Sequence, residues 1–132
     1  MDGVSQKLYI ATPDPWWFTG GGGDAFVLPP NGRAYLSVSD HTDPDGYFRP
    51  NLLGGSVEFD VDMHEDDCGC VAAFYTVGMP GHNADGSLFE GDKGQYYCDA
   101  NAVGGNFCPE FDIMEANLRA FQVTPHPCDE PT

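Results

Sequence analysis

The sequence predicts an all-β fold of the sandwich type, and two features carry that prediction. Residues 56–62 alternate regularly, with Val57, Phe59 and Val61 facing one way and acidic side chains facing the other. This two-residue period is typical of a β-strand with one buried face. Seventeen glycines and eleven prolines divide the chain of 132 residues into short segments. Short strands separated by turns, with no long amphipathic helix between them, favour a β-sandwich.

Five segments are predicted to form strands, and turn residues separate them. In chain order these segments are Lys7–Ile10, residues 33–40, residues 56–62, Val71–Val77 and Phe107–Glu115. Asp43–Gly46 is predicted to be a turn, and residues 80–94 a turn-rich loop. We therefore expect an N-terminal segment over residues 1–32 and one β-sandwich domain over residues 33–132.

The charge of the chain argues against two classes of partner. Acidic side chains outnumber basic ones by 21 to 5, so the formal net charge is −16. Such a charge repels phosphate backbones and anionic lipids, so we expect neither a nucleic acid nor a membrane as partner. No apolar run approaches the roughly 20 residues that span a bilayer. The N-terminus also lacks the basic and apolar regions of a signal peptide.

The cysteine content predicts an oxidising compartment and at least one disulfide. The five cysteines are Cys68, Cys70, Cys98, Cys108 and Cys128. Because five is an odd number, one thiol is free or is paired outside this chain. A zinc site built from Cys68, Cys70, His126 and Cys128 is the alternative interpretation. Against it, Cys68 and Cys70 lie closer together than the usual spacing of two to four residues between zinc cysteines.

Three carboxyl groups form the densest cluster of reactive side chains in the sequence. On a strand, Glu110 and Asp112 share one face, whereas Glu115 has the opposite parity. One β-bulge between Asp112 and Glu115 would turn Glu115 to the same face, and bulges are common beside active sites. Carboxyl groups held together raise the pKa of at least one of them. One ionised and one protonated carboxyl group are the requirements of glycoside hydrolysis, and an exposed acidic strand is the alternative.

The residues around this cluster resemble a known family. Residues 110–117 read Glu-Phe-Asp-Ile-Met-Glu-Ala-Asn, and residues 124–128 read Thr-Pro-His-Pro-Cys. Both are similar to the active-site strand region of glycoside hydrolase family 7, the cellobiohydrolases and endo-β-1,4-glucanases. Further segments resemble the same family in the same order: Arg33–Asp40, Leu52–Gly54, Val57–Asp62, Cys68, Ala73–Met79 and Tyr97–Asp99. The resemblance covers residues 33–128 and implies a concanavalin-like jelly-roll β-sandwich that hydrolyses β-1,4-glucan with retention.

The resemblance also implies roles for individual residues. Glu110 matches the nucleophile, Glu115 matches the general acid/base, and Asp112 matches the carboxyl group that hydrogen-bonds the nucleophile. The two catalytic carboxyl groups are expected to lie roughly 5–5.5 Å apart. Two carboxyl groups and a water molecule suffice for this reaction, so no cofactor and no metal is expected.

Three other positions match residues near the substrate in the same family. They are His126 beside the catalytic centre, Tyr75 in the cleft and Asp99 near the substrate path, and ordinary packing is the alternative for each. Cys98 and Cys108 match two cysteines that pair with each other. Cys68 and Cys128 match cysteines whose partners lie further along the family's sequence, and Cys70 has no counterpart.

Departures from the family pattern leave other interpretations open. Family members continue well beyond the equivalent of Thr132, so the sandwich is expected to be incomplete, with an open sheet edge that a protein partner covers. Met114 stands where the family usually has tryptophan. Only nine residues separate Cys98 from Cys108, which favours an open cleft over a closed tunnel. The alternative function is a non-catalytic carbohydrate-binding or structural subunit. The resemblance and the cysteines together predict a secreted protein.

Overall fold

The protein is an all-β chain, as predicted. The computed structural model describes residues 5–13, 25–40, 43–64, 66–91 and 95–129. Across these ranges the regular elements are five strands and no helix: β1 (Tyr9–Ala11), β2 (Tyr35–Ser37), β3 (Ala72–Val77), β4 (Glu110–Ala116) and β5 (Phe121–Pro125). Every strand pairing is antiparallel. Antiparallel sheets are the components of a β-sandwich, and the jelly-roll arrangement stays a prediction.

The strands belong to two compact units. The first lies within Met1–Pro50 and includes Gln95, and the second lies within residues 51–92 and 96–132. In the described part of the chain, no helix is long and apolar enough to cross a membrane. The predicted division at residue 32 stays a prediction, although β1 pairs with β2 across it. Residues 14–24 of the predicted N-terminal segment lie outside the described residues.

The first unit is built on the β1–β2 ladder. Ser37 at the end of β2 is fully buried, and its hydroxyl donates to the carbonyl of Gly46 at 2.7 Å. The predicted turn at Asp43–Gly46 is present, because the Gly46 amide donates to the Asp43 carbonyl at 3.1 Å. Tyr47 after the turn donates to the Gln95 carbonyl at 2.6 Å. These bonds satisfy polar groups that burial would otherwise leave unpaired.

The second unit contains the three-stranded sheet in the order β3–β4–β5. β4 is the central strand and carries the best-buried apolar side chains of the sheet, since Met114 and Ala116 are 6% and 3% exposed. Pro109 immediately precedes β4. Proline has no amide hydrogen to donate to a ladder, which accounts for a strand that begins at Glu110 and not at the predicted Phe107.

The prediction of a strand over residues 56–62 was wrong. No strand pairing includes this segment within the described residues, and Val57, Phe59 and Val61 are 44%, 40% and 41% exposed. A strand needs a neighbouring backbone as well as alternating side chains, and this segment has no such neighbour in the described ranges. It contacts β3 through side chains instead, with the Phe59 ring 4.4 Å from the Phe74 ring between centroids.

A disulfide joins Cys98 to Cys108, with 5.4 Å between the two Cα atoms. Both cysteines are buried, and the loop between them ends one residue before Pro109 and β4. Cys68, Cys70 and Cys128 are free and exposed. The disulfide therefore fixes the loop that leads into the central strand.

Replacing Cys98 and Cys108 together by alanine is expected to lower the free energy of unfolding by about 2–4 kcal/mol, since the bridge limits the freedom of the unfolded chain. Chemical denaturation followed by circular dichroism measures this loss. Cys68→Ser is the matched control, because it removes an exposed thiol that makes no bridge. An equal loss in the control would contradict the prediction.

Candidate active site

A β-bulge in β4 brings the three predicted carboxyl groups to one face of the sheet. Tyr75 on β3 pairs with Asp112, and Phe74 pairs with Met114, so Ile113 has no partner on β3. The register against β5 shifts at the same place, between Asp112 and Glu115. A bulge at this place is what the sequence requires if Glu115 is to share the face of Glu110 and Asp112.

The register on β3 shows which residues share a face. Each carboxyl group lies opposite one residue of β3. Val77 is opposite Glu110, Tyr75 is opposite Asp112, and Ala73 is opposite Glu115, so successive partners are two residues apart along β3. Directly opposed residues in an antiparallel pair lie on the same side of the sheet. The three carboxyl groups therefore line one side, called here the acidic face.

Asp112 is the most buried of the three carboxyl groups, with 4% of the residue exposed. His126 Nε2 lies 2.9 Å from Asp112 Oδ2. The His126 amide donates to the carbonyl of Glu110 at 3.1 Å, which fixes the backbone beyond β5 against the start of β4. Asp112 thus lies between a histidine and the neighbouring Glu110.

The pKa of Glu110 is raised from its ordinary value, and burial is the largest cause. The negative charges of Asp112 and Asp99 raise this pKa further, because each disfavours a second negative charge nearby. In the opposite direction, the backbone amide of Ala100 donates to Glu110 Oε2 at 2.9 Å and stabilises the ionised form. Glu110 therefore holds a proton more readily than an isolated glutamate does.

Glu115 has a different environment. Thr124 Oγ1 and Gln122 Nε2 both donate to its Oε2 at 2.7 Å. These two hydrogen bonds lower the pKa of Glu115, and the nearby His126 adds to the effect. Glu115 is only partly buried, so little desolvation opposes the shift.

The other predicted substrate residues lie close to the same strands. Tyr75 faces Asp112 across the β3–β4 ladder, and its hydroxyl lies 3.3 Å from that of Tyr97. Asp99 is buried, and its Oδ1 accepts the amides of Asn101 and Val103 at 3.0 and 2.9 Å. These contacts are typical of a carboxylate that stabilises a turn. Contact of Tyr75, Asp99 or His126 with a substrate stays a prediction.

One group of described side chains has the spacing to hold a metal ion. It comprises Glu110, Asp112 and His126, whose ligand atoms lie within 4.8 Å of one another. The zinc site considered from the sequence does not form. His126 contacts Asp112, and no cysteine belongs to a metal-competent group in the described ranges.

Three partners of the carboxyl groups were not predicted from the sequence. They are Gln122 and Thr124, which hold Glu115, and the amide of Ala100, which holds Glu110. Gln122 and Thr124 are two residues apart, as side chains on one face of a strand must be. The sequence shows this spacing, but which carboxyl group Gln122 and Thr124 bind depends on the register of β5 against β4. The Ala100 contact depends on the fold of a loop and has no sequence signal.

Comparison with curated proteins relates the chain to fungal endoglucanases. It is 37% identical over 98 residues to Endoglucanase type C of Fusarium oxysporum, covering 61% of this chain and 23% of that protein. It is 38% identical over 112 residues to Endo-beta-1,4-glucanase celB of Aspergillus oryzae, covering 74% and 26%. For the Probable endo-beta-1,4-glucanase celB of Aspergillus clavatus the identity is 34% over 134 residues, covering 81% and 31%.

The chain thus spans between about a quarter and a third of the length of the curated relatives it matches. No family model and no solved structure matches it. The similarity to proteins named as endoglucanases extends over 61–81% of this chain, which supports a relationship to cellulase-type glycoside hydrolases.

Proposed function

We propose that this chain is a retaining β-1,4-glucanase of glycoside hydrolase family 7, with cellulose-type polysaccharides as substrate. The observation that carries the proposal is the acidic face, where a bulge brings Glu110, Asp112 and Glu115 to one side of a sheet. An exposed acidic strand has no need of a bulge that aligns three carboxyl groups. The relatives named as endo-β-1,4-glucanases add support for the substrate class.

The proposed reaction has two steps. In the first, a carboxylate oxygen of Glu110 attacks the anomeric carbon of the glucan, the glycosidic C–O bond breaks, and Glu115 gives its proton to the leaving oxygen. In the second, Glu115 takes a proton from water, the water oxygen attacks the same carbon, and the bond to Glu110 breaks. Each step inverts the anomeric carbon, so the product keeps the configuration of the substrate.

The pKa shifts run against these roles when each residue is considered alone. The nucleophile must be ionised, yet the pKa of Glu110 is raised, and the acid must be protonated, yet the pKa of Glu115 is lowered. For Glu110, the Ala100 amide opposes the raised pKa, because it donates to Oε2 at 2.9 Å and stabilises the ionised form.

For Glu115, the lowered pKa restricts the pH at which the reaction runs. The reactive state needs a proton on Glu115, and that proton is lost as the pH rises. We therefore expect activity in mildly acidic solution that declines toward neutral pH. The alternative, a non-catalytic carbohydrate-binding or structural subunit, is favoured by this same feature, because an ionised Glu115 cannot act as an acid.

We further propose that the protein is secreted and acts on extracellular polysaccharide, because its disulfide is typical of oxidising compartments. In the described sheet, β5 has a neighbour only at β4, and Phe121 and Val123 on it are 65% and 50% exposed. A protein partner at this edge stays a prediction.

Release of reducing ends from a soluble β-1,4-glucan at mildly acidic pH tests the proposed function. The chain is expected to be active, and both Glu110→Gln and Glu115→Gln are expected to lose activity by a factor of about 10³ or more. Azide then separates the two roles. With an activated cellobioside, Glu110→Ala is expected to yield the α-glycosyl azide, and Glu115→Ala the β-glycosyl azide.

The opposite azide products would reverse the two roles. A folded, monodisperse wild-type chain without any activity would contradict the catalytic proposal and leave the binding or structural alternative. Binding of cello-oligosaccharides by that inactive chain, measured by calorimetry, would then support the carbohydrate-binding form of the alternative.

The raised pKa of Glu110 also predicts a stability effect with a definite sign. A carboxyl group whose pKa is raised in the folded state favours folding below its unfolded pKa, and this contribution is lost as pH rises through the folded pKa. Glu110→Gln stays neutral and has no such loss. As the pH rises from about 4 to about 7, its melting temperature should therefore increase relative to that of the wild type.

Glu115→Gln is the matched control for this measurement, because the pKa of Glu115 is lowered. The stability that Glu115 contributes is present above its unfolded pKa and lost at lower pH. As the pH rises from about 4 to about 7, the melting temperature of this variant should therefore fall relative to that of the wild type. Thermal unfolding of the three proteins at both pH values gives the comparison. Parallel pH dependences in both variants would show that the carboxyl environments differ from those described.

A further inference from the structure

Both donors that hold Glu115 bind the same oxygen. Thr124 Oγ1 and Gln122 Nε2 each lie 2.7 Å from Oε2, and Oε1 receives neither bond. The two donors are neighbours on one face of β5, which pairs Gln122 with Glu115 and Thr124 with Asp112. The arrangement is thus fixed by the ladder between two strands and not by a flexible loop.

The two hydrogen bonds to Oε2 determine which oxygen of Glu115 can be protonated. A carboxylate oxygen has two lone-pair sites, and two donors fill both of those on Oε2. The proton of the neutral form therefore belongs on Oε1. From this geometry we infer that Thr124 and Gln122 are positioning residues that hold Glu115 by Oε2 and leave Oε1 to carry and deliver the proton. The inference rests on the proposed function, in which Glu115 is the acid/base.

The two donors are suited to this task in different ways. The side chain of Thr124 is branched at Cβ, so its χ1 angle is restricted, and its hydroxyl belongs to a partly buried pair. The amide nitrogen of Gln122 can only donate, whereas the Thr124 hydroxyl can donate or accept. Without these contacts, a partly exposed glutamate side chain would sample several rotamers. Held by Oε2, it presents one oxygen in one direction.

The same contacts favour the charge that Glu115 acquires during the first step. As the proton leaves Oε1 for the glycosidic oxygen, negative charge grows on the carboxyl group, and hydrogen bonds to a charged acceptor strengthen. The donors thus stabilise the transition state of proton transfer. They also keep the group ionised in the free protein, which accounts for the lowered pKa of Glu115.

Titration of the Glu115 side-chain carboxyl carbon by NMR tests the inference without any turnover. Glu115→Gln assigns the signal. Thr124→Val and Gln122→Met each remove one donor, so each is expected to raise the pKa of Glu115 by about half a unit to one unit. Thr124→Ser keeps the hydroxyl and should leave it unchanged. Thr76→Val is the matched control, because Thr76 bonds the Phe111 carbonyl and not a carboxyl group.

Kinetics then distinguish positioning from a structural effect. Values of kcat/KM report the first chemical step, and each variant is measured at its own pH optimum. On a cello-oligosaccharide, whose leaving group needs a proton, Thr124→Val should lose about tenfold or more in kcat/KM. On a dinitrophenyl cellobioside, whose leaving group needs none, its kcat/KM should stay close to that of the wild type.

Two results would overturn the inference. One is an unchanged pKa of Glu115 in both Thr124→Val and Gln122→Met, and the other is an equal loss of kcat/KM on both substrates. An inactive wild-type chain would contradict the proposed function alone, since the NMR titration still decides whether these donors hold Glu115. Thr124→Ser and Thr76→Val, with wild-type amide spectra, establish that the changes do not come from unfolding.

Discussion

One unpaired residue in the central strand, Ile113, determines the chemistry of the acidic face. Side chains alternate along a strand, so a regular β4 would carry Glu110 and Asp112 on one face and Glu115 on the other. The bulge at Ile113 shifts the parity once and brings Glu115 to the same side. It also leaves Met114 and Ala116 buried away from that side, so the same strand supplies apolar packing and the carboxyl groups. The proposed catalytic roles and the positioning of Glu115 both depend on this shift.

Neighbouring elements set the charge state of each carboxyl group. The loop closed by the Cys98–Cys108 disulfide presents the Ala100 amide to Glu110, and β5 presents Thr124 and Gln122 to Glu115. Burial and a second carboxyl group raise the pKa of Glu110, while two donors lower that of Glu115. The two glutamates are thus distinguished by their surroundings, which is how one residue type can serve two roles in glycoside hydrolysis. The charge states of the two glutamates therefore depend on these neighbours as much as on the glutamates themselves.

The sequence predicts the local features of this chain well and the non-local ones poorly. The all-β class and the turn at Asp43–Gly46 follow from patterns within a few residues, whereas parity shows only that Glu115 needs a bulge to reach the face of Glu110 and Asp112. The strand predicted over residues 56–62 fails because alternation reports which side chains are apolar and not whether a neighbouring strand exists. The partners of Glu115 were missed for a related reason, since they depend on how β5 aligns with β4. The Cys98–Cys108 bridge was expected only from a resemblance to a family, because spacing alone cannot assign a pairing.

The proposed reaction requires that Glu110 forms a covalent bond to the substrate. A 2-deoxy-2-fluoro cellobioside with a dinitrophenyl leaving group tests this most directly. The fluorine slows both steps and the activated leaving group restores the rate of the first, so the intermediate accumulates. Mass spectrometry of the digested protein should find one fluorocellobiosyl group on the peptide that contains Glu110, with Glu110 as the modified residue and no label in Glu110→Gln. A label on Glu115 or Asp112, or turnover with no label on a protein that releases reducing ends, would contradict the account.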